Sequence, residues 1–162
     1  MNRALFLAGV AGLAGAACAF RAPTSAAQQP EKYTVTHSDA EWHKLLTADQ
    51  YEILRNAGTE PAFSSPLDRE FGKGVYDCAG CALALYSSAT KFDSGTGWPS
   101  FYDHLPNAIR TSSDDSLGMD RTEVHCRRCG SHLGHVFDDG PQPTGLRYCM
   151  NGLALTFVPA RG

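Results

Sequence analysis

The sequence predicts a mainly β domain of short antiparallel strands, preceded by two short helices. Three observations carry this expectation. Seven short runs rich in β-branched and aromatic residues (74–77, 84–87, 109–111, 121–125, 133–137, 147–150 and 154–157) follow one another with Gly, Pro, Asn and Asp between them. No helical period separates them, which argues for antiparallel pairing and against βαβ units. Four of the six cysteines fall into two C-x2-C pairs, Cys78/Cys81 and Cys126/Cys129. Each pair places two thiolates on one tight turn, and two such turns complete a tetrahedral S4 zinc site. Disulfides are the weaker reading, because cysteines at this spacing are more often metal or redox sites. The chain has 162 residues, which suits one domain that gains from a metal staple.

Residues 1–27 stand apart from the fold and are expected to be a leader, with the domain spanning 28–162. Arg3 gives a small positive start, residues 4–17 are apolar, and Ala17-Cys18-Ala19 supplies the small residues of a signal-peptidase site. The run is short and Gly-rich for a membrane anchor. The stretch from Phe20 to Ala27 is basic, hydroxylated and free of acids, a transit-peptide composition. Together the two parts resemble the leader of a plastid reached through the secretory route, with secretion or a periplasmic address as the alternative. A lipoprotein reading would use Cys18, but Gly15-Ala16-Ala17 lacks the usual Leu.

The helices come next. Ser38-Asp39-Ala40-Glu41 is a capping box, followed by Trp42, Leu45 and Leu46 as an apolar edge. Thr47-Ala48-Asp49-Gln50 is a second box with Tyr51, Ile53 and Leu54 behind it, and Gly58 is the expected stop. After Glu60-Pro61 the strand pattern begins.

Formal charge is −3; without Arg3 and Arg21 the rest carries 12 basic against 17 acidic residues, a net of −5. No Lys/Arg run exceeds Arg127-Arg128, so phosphate neutralisation, and with it nucleic-acid binding, is a poor fit. No apolar stretch after residue 30 approaches membrane-spanning length.

Six cysteines less four metal ligands leaves Cys18 and Cys149, and Cys18 lies in the leader. A buried inert thiol is the plain reading of a lone cysteine. Its neighbours argue otherwise: on a strand, Arg147, Cys149 and Asn151 share one face, a guanidinium favours the attacking thiolate, and Asn151 can orient a substrate oxygen or a water. His132-Leu133-Gly134-His135 directly follows the second cysteine turn, so its imidazoles are rigidly placed and suit protonation of a leaving oxygen. The loop from Lys91 to Phe101 is broken by Gly95 and Gly97. Phe101 reads as core, and Trp98 as a flat wall at a cleft for an apolar methyl or sulfur.

Cys78-x2-Cys81, Gly-Trp-Pro-Ser-Phe at 97–101, Cys126-x2-Cys129-Gly130-x-His132-Leu133-Gly134-His135-Val136-Phe137 and Arg147-Tyr148-Cys149-Met150-Asn151 are similar, in this order, to the B-type methionine sulfoxide reductases. The match covers roughly residues 36–159. The resemblance implies two antiparallel sheets (a β-tent) with structural zinc at one end and Cys149 as nucleophile. His135 would then be the proton donor, with His132, Arg147 and Asn151 around it and Trp98 and Phe137 at the substrate. It further implies reduction of methionine R-sulfoxide, preferably in peptides, through a Cys149 sulfenic acid. A thioredoxin- or glutaredoxin-type reductant follows, with oxidised proteins as partners and a monomeric chain. The family's usual resolving cysteine stands two residues before this Trp, where the chain has Thr96. Two rival readings are a non-catalytic zinc-ribbon binding module, which leaves Arg147-Tyr148-Cys149 without a purpose, and a cysteine hydrolase using Cys149 and His135.

Overall fold

A computed structural model describes residues 32–161; the leader, with Cys18, lies outside the described residues. Two helices, α1 (Asp39–Leu45) and α2 (Ala48–Asn56), precede nine strands. These are β1 (Gly74–Cys78), β2 (Ala84–Ser87), β3 (Lys91–Phe92), β4 (Ser100–Phe101), β5 (Ile109–Asp114), β6 (Arg121–Cys126), β7 (His132–Phe137), β8 (Arg147–Met150) and β9 (Leu155–Pro159). They form two antiparallel sheets, β2-β1-β9 and β3-β4-β8-β7-β6-β5, so the expected fold class is the observed one. No described helix is long and apolar enough to cross a membrane.

Both capping boxes form. Ser38 and Glu41 close one, and Thr47 and Gln50 the other, leaving few orphan amides at either helix start. Trp42, Leu46, Ile53 and Leu54 are buried, whereas Leu45, expected on the apolar edge, is 59% exposed. A helix this short presents one stripe to the core, and Leu45 lies off it. The stop of α2 is also displaced by one residue. Ala57 takes the left-handed conformation (φ 53°, ψ 38°) and the Gly58 amide bonds back to the Glu52 carbonyl, so Gly58 follows the turn instead of making it.

The inner faces of the sheets meet through aromatics. The Phe101 ring stacks on Tyr86 at 4.4 Å and meets Tyr76 edge-on at 4.9 Å, and the Tyr86 hydroxyl donates to Met150 Sδ. Phe101 is fully buried, as its sequence context suggested. Strands β3 and β4 lie in the Gly-broken loop and have two residues each, too few for alternation to announce them. They are held by pairing: β4 inserts beside β8, with Ser100 opposite Cys149 and Phe101 opposite Tyr148.

Candidate active site

The two cysteine turns have one design. Cys78 ends β1 and Cys126 ends β6; the Ala82 amide returns to the Cys78 carbonyl and the Gly130 amide to the Cys126 carbonyl, and Ala82 and Gly130 are both left-handed. The turns bring all four Sγ atoms within 4.8 Å of one another. Cys78 and Cys129 are 3.7 Å apart and Cys81 and Cys126 3.5 Å. A disulfide needs about 2.05 Å, whereas a tetrahedral thiolate site with bonds of about 2.3 Å has edges of about 3.8 Å. The cluster therefore fits a metal ion and joins the two sheets at one end. Arg55 of α2 bonds the Cys129 carbonyl and the Ser131 hydroxyl beside it, fastening the helices to this corner.

Away from that corner, β8 lies between β4 and β7. Directly opposite residues share a face, so Ser100, Cys149, His135, Glu123 and Ser112 form one row across four strand junctions. Tyr148 and Met150 point into the core and are buried, while Cys149 is only partly so. Residues three apart on a regular strand face opposite ways. His132 and His135 nevertheless lie together, ring centroids 5.5 Å apart. The cause is a bulge: Val124 pairs with Gly134 but His125 with His132, leaving Leu133 as the extra residue. Gly134 makes the bulge possible. Its φ is +155°, and a Cβ there would stand 2.1 Å from the Cys149 carbonyl oxygen.

Both imidazoles are held by carboxylates. His132 Nδ1 is 2.7 Å from Glu123, and His135 Nε2 is 2.7 Å from Asp114. Hydrogen bonds from Ser116 and His135 hold the Asp114 carboxyl well below its usual range, and the His132 bond lowers Glu123. Burial lowers His135, with Asp114 opposing it. These groups line a cavity of about 350 Å³ under the end of α2, with Ala57 and Thr59 on its other wall. His132 Nε2 is buried there without a hydrogen-bond partner among the described residues.

Arg147 lies over the Phe137 ring, 4.5 Å from its centroid, and grips Asp139 through two 2.8 Å bonds. Burial pushes the Cys149 thiol up; Thr96, the Arg147 charge and Ser100 pull it down without offsetting the burial. The guanidinium acts in the expected direction, but Asp139 shares its charge. Thr96 Oγ1 lies 3.9 Å from Cys149 Sγ, placing position 96 against the thiol.

Asn151 departs from the shared-face expectation. It lies one residue past β8 and is 3% exposed. Its amide oxygen accepts from the Glu60 amide and its Nδ2 donates to the Leu133 carbonyl, so it braces backbone behind the row. Glu60, read from sequence only as a boundary, is the hub of this region. Its carboxylate accepts from the Gly152 and Leu153 amides, and its carbonyl accepts from Trp98 Nε1 at 3.1 Å. Half-buried Trp98 is thereby tied to the segment that follows Cys149. Asp114 and Glu123 were missed as well. Asp114 falls beyond the anticipated end of its strand, whereas the alternation Arg121, Glu123, His125 offered a usable signal for Glu123.

Residues 46–159 match the family described as the SelR domain. The chain is 53% identical over 126 residues to the peptide methionine sulfoxide reductase MsrB of Leptospira interrogans, covering 77% of this chain and 96% of the relative. It is 56% identical over 124 residues to that of Methanosarcina barkeri, covering 76% and 87%. It is also 45% identical over 139 residues to the mitochondrial methionine-R-sulfoxide reductase B3 of Mus musculus, covering 85% of this chain and 55% of that one.

Proposed function

The chain belongs to the SelR-domain family and is a methionine sulfoxide reductase of the B type, and from that premise we propose that Cys149 reduces methionine R-sulfoxide in oxidised proteins and peptides. The observation that carries the assignment is that Cys149 is the one described thiol outside the four-sulfur cluster, and that it shares a strand face with His135.

The Cys149 thiolate attacks the electrophilic sulfur of the sulfoxide. The sulfoxide oxygen must be hydrogen-bonded and then protonated for the S–O bond to transfer. His135 supplies that proton from the ring edge not held by Asp114; His132, fixed by Glu123, supports it. Methionine departs with its sulfur reduced by two electrons, and Cys149, oxidised by two, carries the oxygen as sulfenic acid. Trp98 and Phe137 wall the methyl group, and Arg147 favours the thiolate. Asn151 and Glu60 are positioning residues that hold Trp98 against the strand. The four-cysteine cluster holds zinc, a d10 ion suited to an all-thiolate site, which ties the sheets together.

The second half of turnover needs an outside thiol. Thr96 cannot form a disulfide, and Cys78, Cys81, Cys126 and Cys129 bind metal. A thiol of a thioredoxin-like protein, or glutathione followed by glutaredoxin, condenses with the sulfenic acid, releasing water and leaving a mixed disulfide that a second thiol reduces. The mature chain works as a monomer.

Cys149→Ser should abolish reduction of a peptide methionine R-sulfoxide while keeping metal content and fold; full activity would overturn the assignment. Without reductant, one equivalent of that peptide followed by dimedone should label Cys149, and no disulfide should form. A main product linking Cys149 to a cluster cysteine would show that the chain resolves itself. Thr96→Cys should acquire a disulfide with Cys149, given the 3.9 Å approach.

Residues 1–27 direct the chain into the secretory route and on to a plastid. A reporter carrying them should be imported, and loss of residues 1–17 should block entry; a cytosolic reporter with the intact leader would refute this address.

A further inference from the structure

The loop that carries Trp98 also carries a chain of hydroxyls. Ser100 Oγ donates to the Trp98 carbonyl at 3.0 Å. A carbonyl only accepts, so the Ser100 proton is the one that can bridge them. Ser94 Oγ lies 2.7 Å from Ser100 Oγ and is the donor there when the Ser100 proton is on the Trp98 carbonyl. Ser94 in turn has two donors within reach, the Thr96 hydroxyl at 2.8 Å and the Thr96 amide at 3.4 Å. The far side of Thr96 Oγ1 meets Cys149 Sγ. The chain is thus oriented from one end, and Thr96 stands at the other.

We propose that Thr96 is a catalytic residue whose hydroxyl, oriented through Ser94 and Ser100, holds Cys149 as the attacking thiolate. The proposal rests on the assignment of Cys149 as nucleophile. While Cys149 is a thiol, its S–H points at Thr96 Oγ1 and the Thr96 proton runs on to Ser94. When the thiolate forms, the Thr96 hydroxyl rotates onto it. Ser94 still donates to Ser100 and still receives a proton, now from the Thr96 amide. Both states leave every hydroxyl paired, so ionisation requires one rotation and no rearrangement of the loop.

The other groups facing the thiol explain why this donor matters. On its own strand, Arg147 reaches the thiol but is also doubly bonded to Asp139, which shares its charge. Across on β7, His135 is bonded to Asp114. On β4, the Ser100 hydroxyl is divided between the Trp98 carbonyl, Ser94 and the thiol. Burial works against the charged form, and Thr96 is the foremost of the groups that oppose it. The residue that occupies the position of the family's usual resolving cysteine therefore supplies a neutral donor in place of a second sulfur.

The test reads Cys149 directly. The zinc-loaded protein is alkylated with iodoacetamide across the alkaline range, and modification of the Cys149 peptide is followed by mass, for wild type, Thr96→Val, Thr96→Ser and Ser94→Ala. Thr96→Val should raise the apparent pKa by about one unit, slowing alkylation about tenfold below it. Thr96→Ser should restore the wild-type profile, and Ser94→Ala should shift it by less than Thr96→Val. Zinc content and thermal unfolding verify that each variant is folded, with Thr96→Ala replacing Val if the larger side chain perturbs the loop. An unchanged profile in Thr96→Val, or an equal shift in Thr96→Ser, overturns the role of the hydroxyl; an unchanged profile in Ser94→Ala overturns the chain behind it. Sulfoxide reduction that survives Cys149→Ser would instead remove the nucleophile assignment, leaving the alkylation profile to report on Thr96 alone.

Discussion

Replacing Glu60 tests whether the site is held together by a single buried carboxylate. Glu60 is 3% exposed, and its two oxygens accept from the Gly152 amide at 2.6 Å and the Leu153 amide at 2.9 Å. Water cannot replace it at that burial. Hydrogen bonds to a charged group contribute about 1.5–3 kcal/mol each. Glu60→Gln keeps one acceptor oxygen, now neutral, and sets an NH2 donor against a backbone N–H. One charged bond is lost and the other is weakened. Relief of the buried charge offsets part of that, leaving a loss of about 2–4 kcal/mol. At this chain length roughly 4 °C of Tm accompany each kcal/mol, so Glu60→Gln should melt about 8–16 °C lower. Glu60→Ala, which orphans both amides and opens a cavity, should fall further. The effect reaches function through Trp98, whose Nε1 bonds the Glu60 carbonyl: KM for a peptide sulfoxide should rise even where the protein is folded. The assay is thermal unfolding of the three proteins with steady-state kinetics well below the lowest Tm. A Glu60→Gln protein melting within ~3 °C of wild type would show that the two amides do not depend on the carboxylate.

Two further predictions concern the metal and the acid limb. Cys126→Ser removes one of four ligands; structural zinc contributes on the order of 10 kcal/mol, comparable to the whole stability of a domain, so the variant should lose zinc and unfold or aggregate. A folded, metal-free and active Cys126→Ser protein, assayed by metal analysis and circular dichroism, would refute a structural S4 site. Asp114 and Glu123 both have folded pKa values depressed below the ordinary carboxylate value. The unfolded chain therefore binds more protons at acid pH, and the stability these groups add is complete above about pH 4 and lost as pH falls through their folded values. Asp114→Asn should accordingly be less stable at pH 7 and lose less Tm between pH 5 and pH 3 than wild type. Equal losses in the two proteins would mean that Asp114 is not bonded to His135 and Ser116 as described.

Much of this protein is written locally. The capping boxes at Ser38 and Thr47 satisfy amides three residues away, the cysteine pairs close turns of four residues, and strands such as β6 and β8 alternate in burial. The helices and most of the longer strands could therefore be read from windows of about ten residues, and the candidate thiol Cys149 by setting the paired cysteines aside. The supports of the site could not. Glu60 reaches Gly152 and Asn151 across 92 and 91 residues, Asp114 reaches His135 across 21, and Thr96 reaches Cys149 across 53. The two-residue strands β3 and β4 exist because β8 lies beside them, and the two histidines share a face because a bulge at Leu133 overrides the strand period. Backbone periodicity and turn chemistry act between chain neighbours and leave their mark in sequence. Which buried carboxylate meets which orphan amide is decided only when the sheets close, because the requirement to pair buried polar groups acts between whatever residues the packing brings together.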